Sequence, residues 1–211
     1  MSKRLIAALA FGAILAAGGA SAAQLYDGVL IPELAQILRA GGLGVTEQTD
    51  QGMPFLIVQI PNTEVKLLVS GVGCTAGPRC QGFAVLVPIN SGVLTQSVTD
   101  TFNRDVPYAH IASTADGHPF MKGGYVAKGG VTDLNLFYDF SAFFAAMTNL
   151  GKIASGAIAQ NDTPDTDLGA APTAPGFMAQ MAKTFAVAAG KPKLFLNDKA
   201  ALDELKAQLK P

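Results

Sequence analysis

Two short apolar runs, residues 55–60 and 83–89, constrain the fold of this chain most strongly. Almost every position in them is apolar, which is typical of central strands with both faces buried. Weaker alternation at residues 43–49 and 65–69 predicts two more strands, with turns at Gly52 and at Asn62-Thr63. The first half of the chain is therefore expected to form most of a sheet.

Helical spacing of apolar residues predicts helices around these strands. The first covers residues 32–39 and the second covers residues 93–103. A further hairpin, residues 108–114 and 120–127, turns at Asp116-Gly117. This order predicts an α+β fold, a two-layer antiparallel sheet whose one face is covered by helices.

The last helix of the body is the most apolar element. Thr132 or Asp133 is expected to cap it, and its aromatic stripe is broad. Either the monomer buries such a stripe completely or a partner shares it. We take it as a predicted interaction surface, made of Phe137, Phe140, Phe143 and Phe144.

Residues 1–22 have the parts of a secretory signal peptide. Two basic residues begin the segment, residues 5–17 are apolar, and Ala20-Ser21-Ala22 provides a cleavage site of small residues. The apolar run is too short for a membrane anchor. We expect a periplasmic or secreted protein, cleaved after Ala22 or alternatively after Ala23, with no stable membrane insertion afterwards.

The mature chain divides into three parts by composition. Residues 23–159 form the α+β domain, and residues 160–176 are rich in Asp, Thr, Ala, Pro and Gly, which predicts a flexible linker. Residues 177–211 are expected to form accessory helices that the core does not need for folding. Their apolar faces are Phe177, Met181 and Phe185 on one helix and Leu202, Leu205 and Leu209 on the other.

The charge of the chain argues against nucleic acid as a partner. Without the signal segment, 13 basic and 16 acidic residues give a net charge of −3, and residues 23–176 alone carry −6. Proteins that bind nucleic acids neutralise phosphates with Lys and Arg. We expect a protein partner instead, with a second copy of this chain as one candidate.

Cys74 and Cys80 flank a five-residue loop between two predicted strands. In an oxidising compartment such a lone pair is most simply a local disulfide. The alternatives are a redox-active pair, which usually has two intervening residues at a helix start, or half of a metal site. No second Cys pair or His-x-x-His completes a zinc site, so neither a metal nor a cofactor is expected.

No catalytic motif surrounds His110 or His118. The chain has no Gly-x-Ser-x-Gly, and its glycine pairs are not followed by the Lys-Ser/Thr of a phosphate loop. We therefore expect no enzyme. The alternative is a small periplasmic thiol-redox enzyme or hydrolase using Cys74/Cys80 or His110, and a third possibility is a structural envelope protein.

Four short stretches occur in a fixed order along the chain: Cys74…Cys80-Gln-Gly-Phe-Ala-Val-Leu, Thr101-Phe102-Asn103, Ala115-Asp116-Gly117-His118-Pro119 and Gly129-Gly130-Val131-Thr132. Together they resemble the YbjN-domain family of sensory-transduction regulators. The resemblance spans residues 30–155, although Phe102 stands where the family prefers Trp. It marks Phe102, Asn103, Asp116, Gly117, Gly129 and Gly130 as family-motif positions.

This resemblance implies a fold similar to type III secretion chaperones and transfers no catalytic residue. Together with the export signal, it leads us to expect an exported, non-enzymatic binding, chaperone-like or regulatory module. Such a module would act through protein–protein contact in the envelope.

Overall fold

The structure, a computed structural model, describes residues 25–74, 79–128, 130–157, 194–196 and 199–207. The predicted signal peptide, the linker and the helix face of Phe177, Met181 and Phe185 lie outside this part. The strands are β1 Leu25–Tyr26, β2 Gly44–Asp50, β3 Met53–Gln59, β4 Lys66–Val72, β5 Gly82–Pro88, β6 His110–Ser113, β7 Pro119–Val126 and β8 Val131–Thr132. The α-helices are α1 Ile31–Ala40, α2 Gln96–Asp105, α3 Asp133–Ala154 and α4 Lys199–Ala207.

Six strands form one open sheet in the order β2-β3-β4-β5-β7-β6, and every neighbouring pair is antiparallel. The predicted α+β class is confirmed. The two apolar runs became β3 and β5, which lie inside the sheet, and all seven residues of β5 are buried. The short strands β1 and β8 pair separately, so that Leu25 lies opposite Thr132.

Alternation along the strands gives the sheet two different faces. On the inner face, Leu56, Val69 and Phe83 belong to the main core, together with buried residues of α1, α2 and α3. On the outer face, Phe55 and Leu86 begin a second, smaller core. The sheet therefore separates two apolar clusters of unequal size.

Helix α4 packs on the outer face. Leu205 of α4 is 1% exposed and belongs to the smaller core with Phe55, Leu86 and Phe120. Just before α4, Phe195 forms an isolated antiparallel β-bridge with Ile89, and the amide of Leu196 donates to the carbonyl of Pro88 at 3.0 Å. The described part of the predicted accessory region thus packs against the sheet, and that the core folds without it stays a prediction.

Side-chain caps explain where two helices begin. Thr95 Oγ1 accepts from the amide of Val98 at 3.2 Å, so α2 starts at Gln96 rather than at residue 93. Residues Ser91–Val93 form a separate 3-10 turn. For α3, Thr132 is the N-cap and forms a capping box with Asn135, which decides between the two predicted caps.

Candidate functional site

Cys74 and Cys80 form the predicted disulfide, with sulfurs 2.16 Å apart and Cα atoms 4.0 Å apart. It joins the end of β4 to the start of β5. Gly71 lies under it on β4, where a Cβ would come within 2.8 Å of Cys74 Sγ and would also collide with Cys80. The glycine thus makes room for the disulfide, a requirement that the sequence pattern did not reveal.

Backbone and side-chain hydrogen bonds connect the disulfide region to the first residues of the domain and to α1. Cys80 exchanges two backbone hydrogen bonds with Val29, each 2.8 Å long. Next to it, Arg79 donates through both terminal nitrogens to the two carboxylate oxygens of Glu33 on α1, at 2.9 and 2.8 Å. Such paired contacts hold geometry well, and here they attach α1 to the end of the sheet.

The two histidines lie apart from the disulfide. His110 on β6 faces Lys122 on β7, and partial burial together with the Lys122 charge lowers the pKa of His110. Lys122 precedes Val126 by four residues, and Val126 pairs with Gly82 near the disulfide. At about 3.4 Å per residue, about 14 Å of strand separates the two levels. The structure therefore does not bring His110 and the cysteines together.

His118 is on the other side of the same hairpin, near α4. Its Nε2 is 3.5 Å from Glu204 Oε1, and both side chains are partly exposed. Among the described residues, no group of three or more His, Cys, Asp or Glu side chains could hold a metal ion. No described helix is both long and apolar enough to cross a membrane.

The predicted aromatic interaction surface is inside the molecule. Phe140, Phe143 and Phe144 are at most 2% exposed and belong to the main core. Phe140 stacks on Phe83, with ring centroids 5.2 Å apart and planes 9° apart. The structure corrects the prediction at these three positions, because the sheet and the neighbouring helices bury the stripe within one chain; the side chain of Phe137 lies outside the described residues.

The described family-motif positions lie in the core and in turns. Phe102 is fully buried in the main core. Gly117 has φ +84° in the β6–β7 turn and Gly130 has φ +103° before β8, both in the left-handed region that favours glycine. Asp116 is exposed in the same turn, and Gly129 lies outside the described residues.

Asn103 binds outward-facing backbone groups at one edge of the sheet. Its Nδ2 donates to the carbonyl of Ile111 at 3.0 Å, and its Oδ1 accepts from the amide of Ile111 at 2.6 Å. Strand β6 is the edge strand on this side, and these two backbone groups point away from its neighbour β7. The side chain thus occupies the place that another strand would take.

The opposite edge, β2, remains open over most of its length. Gln51 and Gly52, both with positive φ, form a two-residue turn, so Asp50 and Met53 are a hydrogen-bonded pair. The backbone amide and carbonyl groups of alternate residues of β2 therefore point outward, away from β3. The outward set is Val45, Glu47 and Thr49. Arg39 Nη2 donates to the carbonyl of Val45 at 3.1 Å, and no described contact occupies the backbone groups of Glu47 and Thr49.

Sequence reasoning did not single out this edge. A usable signal was present, however, because residues 44–50 are mostly polar on both faces and five of the seven are exposed. Central strands such as β5 are apolar throughout. A strand of seven residues with polar side chains on both sides is typical of a sheet edge.

A groove lies beside β2 on the outer face, between that strand and α4. Its volume is about 330 Å³, and its lining includes Gln48, Asp50, Phe55, Asp203 and Lys206. Lys206 Nζ is 5.3 Å from the centroid of the Phe55 ring and 2.8 Å from Asp203 Oδ1. Its two lysine partners lower the pKa of Asp203 to about 2, so this carboxylate is ionised at neutral pH.

A buried hydroxyl and a partly buried carboxyl group have no counterpart in the sequence predictions. Tyr125 Oη is buried and has no hydrogen-bond partner among the described residues. Burial raises the pKa of Tyr125, and the charge of Asp139 on α3 raises it further. Burial also raises the pKa of Asp139 to about 6.

Comparison of the chain with family models, with curated proteins and with solved structures gives no match in any of the three.

Proposed function

We propose that this protein is an exported, non-enzymatic binding module of the YbjN type, which takes up an extended segment of a partner protein at the β2 edge. The observation that carries this proposal is the contrast between the two edges of the sheet. Asn103 occupies the outward backbone groups of Ile111, in the middle of the four-residue β6, which leaves Ser113 as the other outward-facing residue of that strand. On the seven-residue β2, the outward groups of Glu47 and Thr49 have no described partner. The β2 edge therefore offers the longer stretch for an added strand.

Addition of a strand to an exposed edge is a common way to recognise extended peptides, because the main-chain hydrogen bonds supply affinity largely independent of sequence. Unprotected edges carry a risk of aggregation, and proteins usually block them with charges, bulges or covering elements. Here Asn103 interrupts the shorter edge, and the other edge is a polar seven-residue strand. The charges of Glu47 and Asp50 on β2 disfavour uncontrolled edge pairing, while its outward backbone groups can still bind a partner segment.

Two features support the exported location. Residues 1–22 have the basic start, the apolar run and the small-residue cleavage site of a secretory signal. The disulfide fits an oxidising compartment, since disulfides persist there and are rare in the cytosol. Both features agree with the periplasm or the medium as the place of action.

The test compares two substitutions at one position of the edge. Thr49→Pro removes an outward amide without removing a bond to β3, and proline is tolerated on edge strands. Thr49→Val keeps that amide and has a similar size. Each is made in the full chain together with a photocrosslinking amino acid at Gln48, and circular dichroism confirms that the variants fold.

After irradiation of intact cells, we expect a crosslinked partner from Gln48 in the wild type and in Thr49→Val, and its loss in Thr49→Pro. The same crosslinker at Ser113, on the β6 edge, is the control and should capture no comparable partner. Crosslinks that persist in Thr49→Pro, crosslinks that occur equally at Ser113, or no crosslink at all would refute binding at this edge. A crosslink only to a second copy of this chain would refute a separate partner.

A further inference from the structure

We infer that the strand bound at β2 presents a basic side chain, lysine or arginine, to the acidic groove between β2 and α4. This inference rests on the proposed function and names the chemistry of the partner. It follows from three features of the structure: the direction of the side chains on β2, the position of the groove, and the charges that line it.

The register places the groove next to any added strand. Gln48 pairs with Phe55, so both side chains lie on the outer face, and Asp50 follows two residues later on the same face. An added strand lies about 4.8 Å from β2 and continues the same alternation of side chains. Every second side chain of the partner segment therefore lies beside Gln48 and Asp50, at the mouth of the groove.

The charges of the groove favour a cation. Asp50 is half-buried and makes no ion pair with any described residue. Asp203 already pairs with Lys206, which also lies over Phe55, and with Lys199, whose side chain is 90% exposed. Asp203 is thus compensated by its two lysine partners, and Asp50 is the carboxylate of the groove that has no ion pair with a described residue.

Other classes of side chain fit this groove less well. An acidic side chain would place a second negative charge beside Asp50, and neighbouring like charges repel. An apolar side chain would remove water from the Asp50 carboxylate without giving it a partner, which is costly. A lysine or arginine can lay its aliphatic part against Phe55 and bring its charge to Asp50. The net charge of −3 over residues 23–211 adds a weak longer-range attraction for basic segments.

The test selects peptides without assuming their sequence. The gene is expressed with its own signal segment, and the mature protein is purified from the periplasm. It is then immobilised and exposed to a displayed library of random twelve-residue peptides. Parallel selections use Thr49→Pro, Asp50→Asn and Asp116→Asn. Asp116 is the matched control, because it is an exposed aspartate in the hairpin turn at the other edge.

We expect the wild type and Asp116→Asn to enrich segments that carry lysine or arginine at one fixed position. The affinity of an enriched peptide should fall about tenfold in Asp50→Asn, as expected for loss of one charge-assisted contact. Its affinity for the wild type should also fall as salt is raised.

The remaining outcomes separate the two proposals. If the wild type enriches no peptides beyond those that Thr49→Pro enriches, binding at the edge is refuted and this inference falls with it. If enrichment depends on Thr49 but shows no basic residue, or if Asp50→Asn binds the peptides as well as the wild type does, the basic partner is refuted. Binding at the edge then stands.

Discussion

Asn103 and Ile111 form a closed pair, in which one side-chain amide satisfies both the amide and the carbonyl of a single edge residue, at 2.6 and 3.0 Å. Eight positions separate them, because α2 ends and a short connection returns the chain to β6. The pair protects one edge of an open sheet. Asn103 therefore fills, at the middle of β6, the bonding positions that a further strand would use there.

Replacing Asn103 with alanine should destabilise the protein by about 1–3 kcal/mol, because two partly buried backbone groups of Ile111 lose their partners. Urea denaturation followed by circular dichroism measures the change. Asn103→Asp, which keeps an acceptor for the Ile111 amide, should lose less than the alanine variant. Equal stability of Asn103→Ala and the wild type would contradict this role of the side chain.

Replacing Leu205 with alanine should cost about 2–5 kcal/mol, since its side chain is 1% exposed in the smaller core. Ala200→Ser, at an exposed position of the same helix, is the control and should change little. Thermal unfolding compares the two. A neutral Leu205→Ala would mean that the packing of α4 contributes nothing to stability.

Asp139 should make the protein less stable as the pH rises. Its pKa is about 6 in the folded chain against 3.8 when free, so the folded state binds more protons between pH 4 and 6. Stability attributable to this group therefore falls across that window and stays lower at pH 7. Because the side chain is only partly buried, the loss is on the order of 1 kcal/mol.

Asp139→Asn should recover that loss at pH 7 and have little effect near pH 3. Unfolding by urea at both pH values measures the difference, with Asp27→Asn at an exposed position as the control. A variant that is equally stabilising at both pH values would show that the effect does not arise from titration of Asp139.

Loss of the disulfide should destabilise the protein by about 2 kcal/mol, the value that chain entropy predicts for so short a loop. Cys74→Ser combined with Cys80→Ser tests this by denaturation. Mass spectrometry of the protein after alkylation should show no adduct before reduction and two after it. Two alkylated thiols in unreduced protein would contradict the bond.

The exported protein should begin at Ala23. Intact-mass measurement of protein from the periplasm should show loss of residues 1–22, or of residues 1–23 for the alternative site. Replacing Ala20 and Ala22 with bulkier residues should block this processing, since the cleavage site needs small side chains. Full-length protein recovered from the cytosol would contradict export.

The sequence by itself determined the features that depend on neighbouring residues. The apolar runs at 55–60 and 83–89 indicated central strands, and Asp116-Gly117 indicated the β6–β7 turn, because period and turn chemistry are local properties. The cap of α3 was predicted as one of two adjacent residues. The Cys74–Cys80 pairing also follows from two nearby residues and the absence of other cysteines.

Only the tertiary structure decided the features that depend on distant residues. Strand order determined that Phe143 is buried rather than shared with a partner, since a broad apolar stripe has the same pattern in both cases. It also placed Asn103 beside the Ile111 backbone, left Thr49 at an open edge, and brought α4 beside Asp50. Each of these contacts joins elements through the sheet, and no periodicity within a single element specifies which other element lies next to it.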